Sequence, residues 1–568
     1  SNNSLTCIET LDPAYATANW TSANGNIDAG VTFDVICGAA ARTNWHVAST
    51  GSDITGSGTL ASPLSSIQTA INAATDGDTV SVAAGTYVEN INFNGKNIAV
   101  IGADSSNTII DGDSSGAVVV FNSSEDSTAL LKNFKITNGS GLDGIVGGAS
   151  VGGGIVAGSK VTLENLFITG NSAVRAGGMW IGTEVTLKNS TISNNFSSGG
   201  GGVMIQASSP TLTNVLITNN TSSERGGGLW TYAGPNNFPV LTNVTITGNV
   251  AGSNGGGCYL DGPSPTFHSC DISNNTASGS GGGIYSYNSS LTFDGGTISN
   301  NTSSNEGGGI YLTLSNSSTI TNSSIINNTA GWDGGGIWDD RTPLILDKVL
   351  IQGNNASNYA GINNYASVIN INNSTIADNN NSTSETSTGI LLSHYGAVLI
   401  LYNSICINNG DKEIITANAA GELSIDYTVF SNLVNGFDNN NSSIFNWGSG
   451  NIDADPLFAD TANGDYTLLA GSPAIDVGNP NAFYNDGDGT RNDMGYTGGN
   501  GIVLSATDID FGYVGVGDSR DKTLTVTNTK NSDISVSGAA FDDSQFSTST
   551  SLPVTVAAYS AADITLTF

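Results

Sequence analysis

A glycine triplet followed by one apolar and one bulky residue returns through the middle of this chain, and no other feature constrains the fold as tightly. The triplet or its remnant precedes Ile155, Met179, Val203, Leu229, Cys258, Ile284, Ile310, Ile337, Ile362 and Ile390, at steps of 24 to 29 residues. A second motif keeps the same step. LENLFITGN (163–171), LKNSTISNN (187–195), LTNVLITNN (212–220), LTNVTITGN (241–249), INNSTIADN (371–379) and LYNSICINN (401–409) all follow the pattern L-x-N-x-x-I-x-x-N or a close variant of it. A fixed period of this length marks a solenoid, whose units bury their apolar faces against one another.

The residue types select strands for the coils. Apolar residues alternate with Thr and Ser over four to six positions, which is period two, and no segment inside the repeats holds a helical period for three turns. Stacked at roughly 4.8 Å per coil, such units form parallel sheets around a narrow core. The expected fold is all-β: a right-handed parallel β-helix. Ile168, Ile192, Ile217, Ile246, Ile272, Ile298, Ile325, Ile351 and Ile376 should form one inward column. Asn133, Asn165, Asn189, Asn214, Asn243, Asn322, Asn373 and Asn403 should mark a corner, their amides bonding the turn and their own copies. Ahead of the coils one helix is expected over about Ser65 to Ala74, with Ile67, Ala70, Ile71 and Ala74 on one face, placed to plug the open end.

Charge narrows the partners. The 568 residues carry 15 Lys and Arg against 48 Asp and Glu, a net charge of −33, with only 11% of residues charged. Such a chain has no electrostatic footprint for nucleic acid or anionic lipid, and it repels polyanionic sugars unless a cation bridges them. No apolar run is long enough to insert in a membrane, and no signal peptide opens the chain, so a secreted protein of this sequence would be the mature form. Of five cysteines, Cys258, Cys270 and Cys406 fall in inward columns. Cys7 and Cys37 lie outside the repeats and are candidates for a disulfide in an oxidising compartment.

The segment DTVSVAAGTYVENINFNGKNIAVIG resembles the first coils of bacterial secreted β-helix proteins of the pectate-lyase-like superfamily, and the GGGI and NN units resemble the repeats of polymorphic outer-membrane and adhesin-type proteins. DPLFADTANGDYTLLAGSPAIDVGNP with YNDGDGTRNDMGYTGG is similar to the end segment of surface proteins of the choice-of-anchor type. IVLSATDIDFGYVGVGDSRDKTLTVTNT resembles an Ig-like sandwich of the ASPM-SPD2-Hydin type. The organisation expected is thus a non-repeat segment (1–44), the β-helix (45–410), end coils with an acidic cap (411–500) and an incomplete C-terminal Ig-like β-sandwich (501–568). The resemblances imply an extracellular or cell-surface protein, structural or adhesive, part of a fibre or surface assembly. The alternative they leave open is a carbohydrate-active lyase or hydrolase.

Three groups of residues are candidate sites. If the residue after each triplet points inward, the next must point outward, which predicts an exposed stripe of Trp180, Met204, Trp230, Tyr259, Tyr285, Tyr311 and Trp338 suited to glycans or to other copies of the chain. The loop NDGDGTRND offers Asp486, Asp488 and Asp493 as Ca²⁺ ligands, without the distal Glu of an EF-hand. Asp333, Asp339, Asp340 and Arg341, beside Trp338, are the nearest approach to a catalytic cluster; paired Asp and Gly-His-Gly signatures are absent, and the bland account is a solvated loop. Finally, DITLTF stops within a strand pattern. A sandwich lacking a strand would expose an edge, and GVTFDVIC (30–37), with Val31, Phe33 and Val35 alternating, is a candidate donor for a head-to-tail homopolymer.

Overall fold

The computed structural model describes residues 7–9, 13–25, 31–34, 43–232, 234, 237–379, 388–394, 396–410, 412–417, 421–430, 437–439, 444–481, 484–486, 489–498, 502–504, 511, 519–528, 533–538, 545–557 and 561–568. They divide into two compact units, Ser1–Thr266 with Cys270–Ser289, and Phe267–Ser269 with Ser290–Phe568.

Each unit contains a parallel β-solenoid in the expected register. In the first, Ile155, Met179, Val203, Leu229, Cys258 and Ile284 pair in one column, and Ile168, Ile192, Ile217, Ile246 and Ile272 in another. In the second, the columns are Ile310, Ile337, Ile362, Ile390 and Ile414, and Ile298, Ile325, Ile351, Ile376 and Cys406. These side chains are shut off from solvent, as are the free thiols of Cys258, Cys270 and Cys406. Parallel pairing continues to Ile452–Asp453.

Asparagine forms two ladders where the sequence pattern distinguishes one. The corner residues Asn133 to Asn403 adopt left-handed backbone, with φ between 42° and 66°, a conformation asparagine tolerates better than other non-glycine residues. Asn165, Asn214 and Asn243 each donate to the corner asparagine of the preceding coil at 2.7–3.0 Å. The last asparagine of the motif, to which the sequence reading assigns no role, is buried. In the first unit Asn171, Asn195, Asn220 and Asn249 each pass a side-chain N–H to the next Oδ1 at 2.9–3.0 Å, ending on Asn275. The second unit repeats this from Asn301 through Asn328, Asn354 and Asn379 to Asn409, whose Nδ2 donates to the Glu413 carboxylate at 2.7 Å. The same Nδ2 atoms also satisfy strand carbonyls, among them Ile192 and Ile298 O at 2.9 Å. The side chains of this inner ladder are thereby paired, as a dry interior requires.

The expected helix spans Ile67–Ala73, N-capped by Ser66, with Ile67, Ala70 and Ile71 buried. Seven residues cannot sustain a helix alone; the coils supply both ends. The Glu89 carboxylate accepts from Ile67 and Gln68 N–H at 2.8 and 2.9 Å, and Lys96 Nζ donates to the carbonyls of Ile71, Asn72 and Ala74 at 2.6–2.8 Å. Lys96→Met keeps the apolar stem and orphans three carbonyls. It is expected to cost about 1–2 kcal/mol, read as a lower urea midpoint with unchanged slope.

Towards the C-terminus Tyr466, Ala474 and Met494 pack along the flank of the coils against Leu350, Ala377, Ile405 and Val429, and Gly495 N–H bonds Asn403 O at 2.8 Å. The flank draws them because its outward positions there are apolar. The final strand, Ala561–Thr567, pairs with Asp521–Asn528 on one side and, over Leu566 and Thr567, with Ser547–Thr548 on the other. Ile534–Val536 pairs with Val554–Val556, so this region is antiparallel throughout its described strands. Of the candidate donor, Thr32–Asp34 pairs in parallel with Cys7–Glu9, and Phe33 packs edge-on to Trp20 at 5.7 Å. Val35, Cys37 and the Cys7 side chain lie outside the described residues, so the disulfide expected there does too.

Candidate functional site

The glycine triplet determines how much of the aromatic row reaches solvent. The row faces outward, as alternation demands, but in the first unit the arm ahead of the triplet folds back over it. Gly226 has φ +62°, and a Cβ there would lie 2.6 Å from Leu229 O and 3.0 Å from Trp230 Cβ, so only glycine can both take the left-handed turn and pass this close. Two residues on, a Cβ at Gly228 would meet Asn249 Nδ2 at 3.0 Å and Gly257 O at 2.8 Å. One triplet therefore makes room outside for the aromatic and inside for the asparagine ladder.

In the first unit the exposed stripe is not realised. Val156, Trp180, Met204, Trp230, Tyr259 and Tyr285 do form one column, but Trp180, Trp230 and Tyr259 are only 8%, 7% and 5% exposed and Met204 is fully buried. They make a second apolar cluster outside the coil, joined by Val151 and covered by Leu142 and Ile145 of the hairpin Leu142–Val146 and Ala149–Val151. Tyr259 stacks on Tyr285 at 5.0 Å and 4°, and Trp180 Nε1 donates to Gln206 Oε1 at 3.0 Å. Within this row the side chains pack on one another beneath that cover.

In the second unit the row stays half-exposed. Tyr311 stacks on Trp338 at 6.2 Å and 8°, Trp338 on Tyr365 at 6.4 Å and 17°, and Tyr365 meets His394 at 4.5 Å. Trp338 pairs in register with Tyr311 on one side, but on the other with Asn363. The aromatic strip is carried on by Tyr365, two residues along, and this sidestep hides Tyr365 and His394 from a periodicity argument. Burial, with the carboxylates of Asp340 and Glu306 nearby, pushes the Tyr311 phenol up to about 12, so it remains a hydrogen-bond donor at any physiological pH.

Beside the strip, Arg341 Nε and Nη2 donate to Asp340 Oδ1 and Oδ2 at 2.7 and 3.1 Å, and Thr313 Oγ1 donates to Oδ2 at 2.8 Å. Arg341 sits at a turn with φ 58°, its side chain exposed. The cluster expected from sequence does not converge. Asp339 and Asp340 are adjacent in one strand and face opposite ways. Asp339 is inside the solenoid with no exposed surface, accepting from Thr342 N–H at 3.1 Å, and burial raises its carboxyl to about 8. Asp333 lies in the arm ahead of the triplet. Asn358 Nδ2 donates to it at 2.8 Å, and burial, reinforced by Glu306, holds its carboxyl above the usual range. In the acidic loop, Asp493 N–H donates to Asp486 Oδ2 at 2.9 Å and Asp476 N–H to Asp493 Oδ1 at 2.7 Å; Asp488 lies outside the described residues. Among the described residues no three His, Cys, Asp or Glu side chains are gathered as metal ligands, and no helix is long and apolar enough to cross a membrane, which says nothing about a β-barrel.

Residues 182–342 match the family described as right handed beta helix region. No curated protein matches the chain. Among solved structures it is similar to XylC in complex with xylose (10% identity, TM-score 0.31, 73% of this chain and 87% of that one). It is similar also to the pectate lyase Pel9A (15%, 0.31, 82% and 98%) and to the catalytic unit of a GH87 α-1,3-glucanase from Streptomyces thermodiastaticus (14%, 0.31, 74% and 71%).

Proposed function

We propose that this parallel β-helix protein is an extracellular adhesive surface protein that holds glycans on the half-exposed strip Tyr311, Trp338, Tyr365 and His394. The observation that carries the reading is the strip itself, with the Asp340–Arg341 pair at its side. Aromatic rings supply the apolar contact for sugar C–H faces. The ion-paired guanidinium keeps unspent N–H donors for hydroxyls without adding net charge. A rigid solenoid presents such groups at fixed intervals with little ordering cost on binding. In the same reading the C-terminal antiparallel strands are an Ig-like module, the Asp486, Asp488 and Asp493 loop takes Ca²⁺, and copies of the chain assemble at the cell surface.

A second reading, cleavage of a sugar chain, is favoured by one observation: the partly buried Asp333, whose carboxyl burial and Glu306 hold above the usual range, is a candidate general acid. One experiment separates the two. Immobilised neutral polysaccharides are expected to retain the protein, and Trp338→Ser to weaken retention at least tenfold with the melting temperature little changed. Supernatants should hold no new reducing or unsaturated sugar ends. Release of such ends, lost in Asp333→Asn, favours cleavage; retention unaffected by Trp338→Ser defeats the binding reading.

A further inference from the structure

We infer that the first unit carries a separate binding site, for a glycan bearing carboxylate or sulfate groups, built on Arg175 and Arg225. Arg175, Gly199 and Arg225 occupy one register position in three successive coils. Two coil rises, roughly 10 Å, therefore separate the two arginines along the solenoid. Gly199 leaves the space between them open to the Trp230 indole: a Cβ there would stand 2.5 Å from the ring. The Arg175 guanidinium lies over Trp230 at 5.7 Å, and that of Arg225 over Tyr259 at 5.2 Å. Each cation is thus held in place by a ring that is itself fixed in the buried cluster.

What these side chains leave undone points to a ligand. Lys132, Lys160 and Arg341 are matched with carboxylates, whereas among the described residues neither Arg175 nor Arg225 uses its guanidinium in a hydrogen bond or ion pair. A guanidinium offers five N–H donors in a planar fork that fits a carboxylate or sulfate. The neighbouring surface suits a sugar: Tyr232, Asp261 and Tyr287 form one row on successive coils, with both tyrosines exposed. Asp261 and the exposed Glu224 are the acids beside it, and burial raises the Asp261 carboxyl against the pull of Arg225. The remaining excess of acidic groups acts weakly at a distance, because at physiological salt the screening length is about 8 Å.

The site shares no residue with the Trp338 strip, so either can fail alone. The full chain is titrated calorimetrically in 0.15 M salt with a polyuronate, a sulfated galactan and a neutral glucan of similar length. At least one acidic polymer should bind tenfold or more tightly than the glucan, the arm that binds identifying carboxylate or sulfate. Arg175→Gln with Arg225→Gln should remove that preference, and Trp338→Ser should leave it intact. Should the double variant fail to fold, Arg225→Gln alone, at an exposed position, should weaken acidic binding at least threefold. Equal affinity for acidic and neutral polymers, or acidic binding unchanged in the glutamine variants, overturns the site.

Discussion

Asn328→Leu should destabilise the second unit by about 3–5 kcal/mol, while Asn322→Gly, six residues earlier, should change stability by less than about 1 kcal/mol. Asn328 Oδ1 accepts from both the backbone and side-chain N–H of Asn301 at 3.0 Å, and its Nδ2 donates to Ile298 O and Asn354 Oδ1 at 2.9 and 3.0 Å. Leucine fills the volume and leaves those buried groups without partners, each costing about 1–3 kcal/mol. Asn322 is exposed and serves its corner through left-handed backbone with φ 50°, which glycine adopts freely, and the Asp294 oxygen to which its Nδ2 donates at 2.8 Å keeps the Thr321 hydroxyl at 2.7 Å. Guanidinium unfolding followed by circular dichroism separates the cases. Equal midpoints for the two variants would mean that the inner ladder is ornamental.

The second large effect is a pH dependence that runs opposite to acid denaturation. Asp339 faces inward between Leu312 and Asn364 in its column, and burial raises its carboxyl from 3.8 to about 8. Between those values the folded chain keeps a proton that the unfolded chain releases. Its contribution to stability is therefore complete below pH 3.8 and declines as pH rises, by about 1.4 kcal/mol per unit, until it is lost through about 8. Asp339→Asn, matching Asn364 in the next coil, should abolish this slope and leave a variant more stable than wild type at pH 8. The quantity to measure is the difference in unfolding free energy between variant and wild type from pH 4 to 9. A difference that stays flat would place a charged, solvated carboxylate at 339.

Periodicity carries most of the fold because a solenoid repeats its packing with its letters. The Ile columns, the burial of Cys258 and the helix at Ile67–Ala73 all follow from spacing alone. The aromatic row shows where that logic stops: alternation correctly turns Trp230 outward, but a strand rule is silent about the arm that covers it. The information was present in Gly199 and Gly226, whose missing side chains make the cover fit, yet glycine reads first as a turn. Asp339 was misplaced for a related reason. Its neighbours Asp340 and Arg341 suggest a solvated loop, and only the register with Leu312 exposes it as a core position. Tyr466, Ala474 and Met494 escaped the pattern because their partner is the flank of distant coils, where Ala377 and Ile405 face outward.

Bound oligosaccharide in a crystal tests the central claim most directly. After soaking with a neutral oligosaccharide retained in the binding assay, sugar rings should lie against Trp338 and Tyr365 with hydroxyls toward Arg341, every glycosidic linkage intact. Sugar density confined to another face, or cleaved products beside Asp333, would contradict it.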